Sequence, residues 1–242
     1  MTRPLIHLAE TLTIGSIEGF LSQDEIEQLG QLMAKHLAHF GPERFDTERG
    51  DTIHEIPGRT AEHAMAVYEP AGRLEVRQIP SDAEQILQGA FERSREALNR
   101  SLPSVMLCRP WTYVEYGPGQ HITAHLDGIA PDPLSWPRQI AGISVVISEP
   151  ERGGAFHVET TSDHRLWRDG LAGPESGYAP GTHLAHDGAD HSTPWFVAMP
   201  RTRWTATPGS GTALLYGSQL AHGTEPVLVG VARKFISWLA AD

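Results

Sequence analysis

Cysteine is almost missing from this chain: Cys108 is the only one, so no internal disulfide can form and a thiolate metal cluster lacks its ligands. Long apolar runs are missing too. No stretch approaches eighteen uninterrupted hydrophobic residues, and the N-terminus shows no basic region followed by an apolar core, so neither a membrane span nor a secretory leader is expected. A reducing, cytoplasmic setting fits that pattern. Positive charge is in short supply: nineteen Lys and Arg face thirty Asp and Glu, for a formal net charge of −11. A protein that holds a phosphate backbone normally presents a basic face, so a nucleic-acid partner is disfavoured.

What is present is the composition of an ordinary globular protein, 40% hydrophobic and 20% charged over 242 residues, enough for one large domain around one core. Residues 10–20 read as a strand. Ser22 and Glu25 then form a capping-box pattern opening a helix to about residue 40, with Ile26, Leu29, Met33, Leu37 and Phe40 on one stripe. Residues 41–80 read as connecting structure with an irregular strand or two. Ser81 and Glu84 repeat the capping pattern ahead of a second amphipathic helix to about residue 101.

From residue 104 the texture changes to short β-rich runs cut by Gly and Pro: VMLCRPWTYVEY, QHITAHLD, QIAGISVVIS, GGAFHVET, GTALLYG and RKFISWLA. Regularly punctuated strands of this kind predict a barrel or sandwich. The segment 162–208 is long, rich in Gly, Pro, His and Asp, and without clear periodicity, which predicts a lid-like insertion. The expected division is therefore 1–103 as an N-terminal strand with supporting helices and 104–242 as the β core.

His125 and Asp127 form His-x-Asp, and the two-residue period of a strand puts both side chains on one face. His222, 97 residues later, can reach the same ion from a paired strand. Two imidazoles and a carboxylate on one face of an octahedron leave three positions open, which suits Fe(II) oxygen chemistry, although the three ligands alone do not exclude zinc. Arg233, on the run VARKFISWLA, offers a guanidinium that could grip a carboxylate in bidentate fashion if it faces the barrel interior. Such an anchor has no use in a zinc hydrolase. His183, His186 and His191 make a second histidine-rich stretch, but it lies in irregular sequence without the helix signals of a zinc motif, and a solvated or substrate-facing loop is the simpler reading.

The ordered set YGPGQHITAHLDG, ERGGAFHVE and LLYGSQLAHGTEPVLVGVARKFISW resembles the prolyl-4-hydroxylase-like branch of the 2-oxoglutarate and Fe(II)-dependent oxygenases. That resemblance implies a mainly β fold with flanking α-helices, the double-stranded β-helix or jelly-roll, cupin-like barrel. It implies Fe(II) on His125, Asp127 and His222, 2-oxoglutarate as cosubstrate with its far carboxylate on Arg233, and O₂ as oxidant. It also places Tyr116 near a tyrosine that touches 2-oxoglutarate in some members. Succinate and CO₂ would leave with a hydroxylated product, and the carboxylate of Asp127 disfavours halogenation. Trp136, Arg138, Trp195, Arg201 and Arg203 are the expected border of the barrel mouth, where aromatic walls and a few cations suit a small, partly apolar molecule bearing a carboxylate, such as an amino-acid derivative. A peptidyl hydroxylase and a non-catalytic metal-binding or oxygen-sensing jelly roll are the alternatives. Nothing in the sequence indicates an oligomeric state.

Overall fold

A computed structural model describes residues 5–40, 51–127, 138–172 and 176–241. In chain order it contains α1 (Leu8–Thr11), β1 (Ile14–Ile17), α2 (Gln23–Phe40), α3 (Ala61–Tyr68), β2 (Leu74–Val76), α4 (Ser81–Asn99), β3 (Leu107–Cys108), β4 (Thr112–Tyr116) and β5 (Ile122–His125). There follow β6 (Gln139–Ser148), β7 (Arg152–Gly153), β8 (Phe156–Thr160), α5 (Pro194–Ala198), β9 (Thr202–Ala206), β10 (Ala213–Gly217), β11 (Ala221–Thr224), β12 (Val227–Val229) and β13 (Ala232–Ala240).

Two antiparallel sheets make the barrel. The larger runs β1-β10-β6-β13-β4-β2, with β3 on β13, and the smaller runs β5-β11-β8-β9. Strands β4, β6, β10 and β13 thus alternate along the chain with β5, β8, β9 and β11 in the opposite sheet, which is the winding of a double-stranded β-helix. The expected jelly roll is present.

The larger sheet has two buried faces. Ile143, Val145, Leu215, Phe235 and Leu239 point outward into one apolar cluster with Leu29 and Met33 of α2 and Leu87 and Phe91 of α4. Each such side chain contributes roughly 1.5–3 kcal/mol when fully buried, so this layer fixes the helices and sets the phase of β6 and β13. The capping box of α2 is formed: Ser22 N–H donates to Glu25 Oε2 at 2.9 Å and Glu25 N–H to Ser22 Oγ at 3.3 Å. The one expected for α4 is not. Pro80 is its N-cap, without a side-chain bond, and Glu84 instead accepts from Trp111 N–H at 3.0 Å, tying the helix to the entry of β4.

Two further expectations change. The connecting stretch before residue 80 contains a regular helix, α3, capped by Thr60 accepting from His63 N–H. The segment 162–208 is not uniform loop: its last part is β9, paired along its length with β8. The part before β9 packs Leu166, Ala185, Ala189, Phe196 and Met199 on Ala124, Leu126 and Ala221 of the smaller sheet. Since Ala124 and Leu126 alternate with His125 and Asp127, this segment lies against the outside of that sheet.

Candidate metal centre

The register of β5 and β11 assembles the centre. His222 is the cross-strand partner of His125, and their ring centroids are 4.6 Å apart. Asp127, just past β5, places Oδ1 3.2 Å from His125 Nε2 and Oδ2 3.7 Å from His222 Nε2. Each imidazole has its other nitrogen against a backbone carbonyl, His125 Nδ1 at 2.8 Å from Thr123 O and His222 Nδ1 at 3.0 Å from Leu220 O. A carbonyl only accepts, so each ring carries a proton on Nδ1 and turns Nε2 toward the Asp127 carboxylate, the tautomer that leaves Nε2 to ligate. That arrangement is what an ion requires. Burial raises the Asp127 pKa, but the adjacent imidazoles of His222 and His125 outweigh it and hold the carboxyl well below its usual range. Burial pushes the His222 imidazole down to about 4, keeping it neutral and able to ligate.

Around this point lies an inner cavity lined by Arg73, Tyr116, Ser144, Thr224, Lys234 and Trp238 as well as His125, Asp127 and His222. Lys234 is 6% exposed. Its Nζ is 3.4 Å from Thr224 Oγ1 and 5.4 Å from the centroid of the Tyr116 ring, and among the described residues it has no carboxylate partner. Burial, then the charge of Arg73, lower its pKa to about 8. A buried ammonium without a counter-ion is costly, so an anion at this end of the cavity would offset that cost. Tyr116 lines the cavity; its hydroxyl accepts from Arg73 Nη1 at 2.6 Å.

Arg233 is the main correction. Strand alternation sends Lys234, Ile236 and Trp238 inward and Arg233 outward, where its Nε is 3.0 Å from Glu115 Oε1 in a groove beside Ile26, Gly30 and Leu37 of α2. It is 42% exposed in its side chain. The guanidinium is therefore on the opposite side of the sheet from the centre.

Comparison with solved structures places this architecture. A prolyl-4-hydroxylase of Pseudomonas putida matches over 96% of this chain and 94% of its own, at 13% identity and a TM-score of 0.56. The viral collagen prolyl hydroxylase of Paramecium Bursaria Chlorella virus-1, in its 2OG complex, matches over 97% and 98%, at 15% identity and 0.51. The fold is that of the prolyl hydroxylases. A prolyl hydroxylase of Trichoplax adhaerens, in complex with a hypoxia inducible factor peptide fragment, matches over 94% and 83%, at 11% identity and 0.54. No protein-family model matches the sequence, and no curated protein does.

Within this prolyl hydroxylase fold, the expected mouth residues fall elsewhere. Trp136 lies outside the described residues. Arg138 is buried with its guanidinium 5.4 Å from the centroid of the Tyr178 ring, Trp195 packs on the apolar cluster outside the smaller sheet, and Arg201 and Arg203 both pair with Glu159. None of these four lines the cavities at the centre. An apolar layer or an ion pair claims each of them.

Sequence reading misses several residues that do line those cavities. His54 stands edge-on to His125 with centroids 4.9 Å apart, and one of its ring nitrogens lies within 4.8 Å of ligand atoms of both His125 and Asp127. Trp238 donates its indole N–H to Asp127 Oδ2 at 3.2 Å. Arg73 is buried between Glu75, at 2.7 Å, and the Tyr116 hydroxyl. For Lys234 a compositional signal exists: only Lys35 and Lys234 among the nineteen basic residues are lysine, so lysine beside Arg233 is a departure from the chain's habit. His54 and Arg73 lie in irregular sequence, where no period announces an inward side chain.

Proposed function

We propose that this protein is a 2-oxoglutarate-dependent Fe(II) oxygenase that hydroxylates an unactivated C–H bond of a small molecule such as an amino-acid derivative. The observation that carries the reading is the pairing, in one cavity, of a preset His125, Asp127, His222 donor set with a buried lysine that has no carboxylate partner among the described residues. A metal site with open positions and an anion anchor together fit a chelating dicarboxylate. Lys234, rather than Arg233, takes its far carboxylate, with Thr224 beside it. Tyr116, fixed by Arg73, lines the space between.

When bound, the iron supplies the oxidative chemistry, in which substrate, O₂ and 2-oxoglutarate become hydroxylated product, succinate and CO₂. The protein's own part is positional. His125 and His222 hold fixed tautomers, Trp238 fixes one oxygen of Asp127, and Phe156 and Tyr216, whose rings lie 5.9 and 4.2 Å from His222 by centroid, screen the ligands from water. A peptidyl substrate is the second reading, favoured by the likeness to prolyl hydroxylases and to one bound to a peptide.

The test is succinate formation by the purified protein with Fe(II), 2-oxoglutarate and O₂, with and without candidate substrates. His125→Ala should abolish it. Lys234→Met should raise the KM for 2-oxoglutarate by roughly ten- to a hundredfold, the loss of a charged hydrogen bond being about 1.5–3 kcal/mol. Arg233→Ala removes a half-exposed ion pair and should leave that KM within about threefold. The reverse pattern would refute the assignment of Lys234.

A further inference from the structure

Strand register gives the inner cavity two ends. On the larger sheet Tyr216 of β10 faces Gly142 of β6, which in turn faces Trp238 of β13, so these three stand in one row across three strands. The next inward row holds Leu214, Ser144 and Ile236, and the one after it Val146 and Lys234. The Trp238 indole is bonded to Asp127, so the first row is the metal end of the cavity and the last is the Lys234 end, roughly 13 Å further along the strand. Tyr216 lines the cavity in the first row, with its ring centroid 4.2 Å from that of His222. A Cβ on Gly142 would stand 2.8 Å from the Tyr216 hydroxyl, so the glycine is what lets the phenol lie across β6 on the Trp238 side. The hydroxyl has no hydrogen-bond partner among the described residues. In Tyr68, Tyr113 and Tyr116 it is engaged, by Asp190, Glu115 and Arg73. A buried tyrosine usually finds such a partner.

We propose that Tyr216 is a second anchor for 2-oxoglutarate, its phenol donating to the end that chelates the metal while Lys234 holds the far carboxylate. The inference rests on the oxygenase reading above and deepens it by giving each end of the cosubstrate its own donor. The two anchors differ in kind for a reason. At the far end a positive charge only has an anion to meet. At the near end it would also repel the metal ion, whereas a phenol is a donor that stays neutral at working pH. The spacing of the rows fits the same ligand, since the long side chain of Lys234 covers part of the distance and a five-carbon diacid the rest.

The test reads binding rather than turnover, on protein loaded anaerobically with Mn(II). The ligands are 2-oxoglutarate and 2-oxobutanoate, which keeps the chelating end and lacks the far carboxylate. Tyr216→Phe keeps the ring against His222 and deletes only the donor. It should bind Mn(II) within about twofold of wild type and hold both acids about tenfold or more weakly, the range for a hydrogen bond to a charged group. Lys234→Met should give the complementary pattern, with 2-oxoglutarate weakened and 2-oxobutanoate within about threefold of wild type. Wild-type affinity for both acids in Tyr216→Phe would overturn the proposal. So would a loss confined to 2-oxoglutarate, which would put the phenol at the far carboxylate, or a wild-type protein that takes 2-oxoglutarate but not 2-oxobutanoate. A parallel loss of Mn(II) affinity would overturn it as well, because the ring would then only be supporting His222. Failure of the wild-type protein to bind either acid, with or without metal, would instead sink the oxygenase reading itself.

Discussion

The indole N–H of Trp238 ends on Asp127 Oδ2, and a carboxylate held by one oxygen turns the other to a metal. Trp238→Phe keeps the ring and deletes the donor. Partners of this kind typically matter ten- to a hundredfold in metal affinity, so anaerobic titration with Mn(II) or Fe(II) should show a loss of about that size while the melting point of the metal-free protein moves little. Unchanged affinity would show the contact to be packing alone. Lys234 sets a pH dependence by its burial. Its folded pKa, about 8, lies below the ordinary 10.5, so between those values the unfolded chain binds the proton and the folded chain does not. Stability of the free protein therefore gains as pH rises from 8 to 10.5. Affinity for 2-oxoglutarate runs the other way: it holds below pH 8 and weakens by up to about tenfold per unit above it, as the neutral amine forms. Lys234→Met should flatten that slope in a pH series of 2-oxoglutarate binding.

At the scale of elements, β13 shows what strand alternation can and cannot tell. Both of its faces are apolar, Phe235 and Leu239 under the helices and Ile236 and Trp238 toward the barrel, so the sequence VARKFISWLA does not reveal which of two adjacent basic residues points in. The phase is set from outside, by the packing of Phe235 and Leu239 on α2 and α4. His-x-Asp was legible because the two-residue period of extended chain puts His125, at the end of β5, and Asp127, just past it, on one side, and the jelly roll was legible in the Gly- and Pro-cut runs. By contrast, α3 was hidden among prolines. One glycine on β6 holds the interior open. A Cβ on Gly142 would lie 2.2 Å from Cε2 of Tyr216, whose ring centroid is 4.2 Å from that of His222. Gly142→Ala should therefore cost about 1–3 kcal/mol of stability as an overpacked core, read by urea unfolding, and should weaken metal binding as Tyr216 is driven toward His222. A melting point unchanged from wild type would show that the barrel yields at no cost.

Across the whole molecule, the centre is where the two sheets meet: β5 and β11 of the smaller sheet bring His125, Asp127 and His222, and β13 of the larger one brings Trp238 and Lys234. Occupying it should couple to the closure of the barrel, because the unfolded chain holds no such site. The segment before β9 packs apolar side chains on the outside of the smaller sheet, and its Asp190 Oδ2 accepts from the Tyr68 hydroxyl of α3 at 2.7 Å. It thereby covers the back of β5 and β11, the strands that bring His125 and His222 together. A metal at a hundred times its Kd stabilises the folded state by about 2.7 kcal/mol, which for a chain of this length corresponds to a rise of roughly 5–10 °C in melting temperature. Mn(II) added to the metal-free protein should give that rise and 2-oxoglutarate a further one only when metal is present, since its chelation needs the ion. In His222→Ala both increments should vanish, whereas in Lys234→Met the first should survive and the second shrink. A rise from 2-oxoglutarate alone, equal with and without metal, would mean that Lys234 binds the anion independently of the centre and that the two halves of the cavity are not one site.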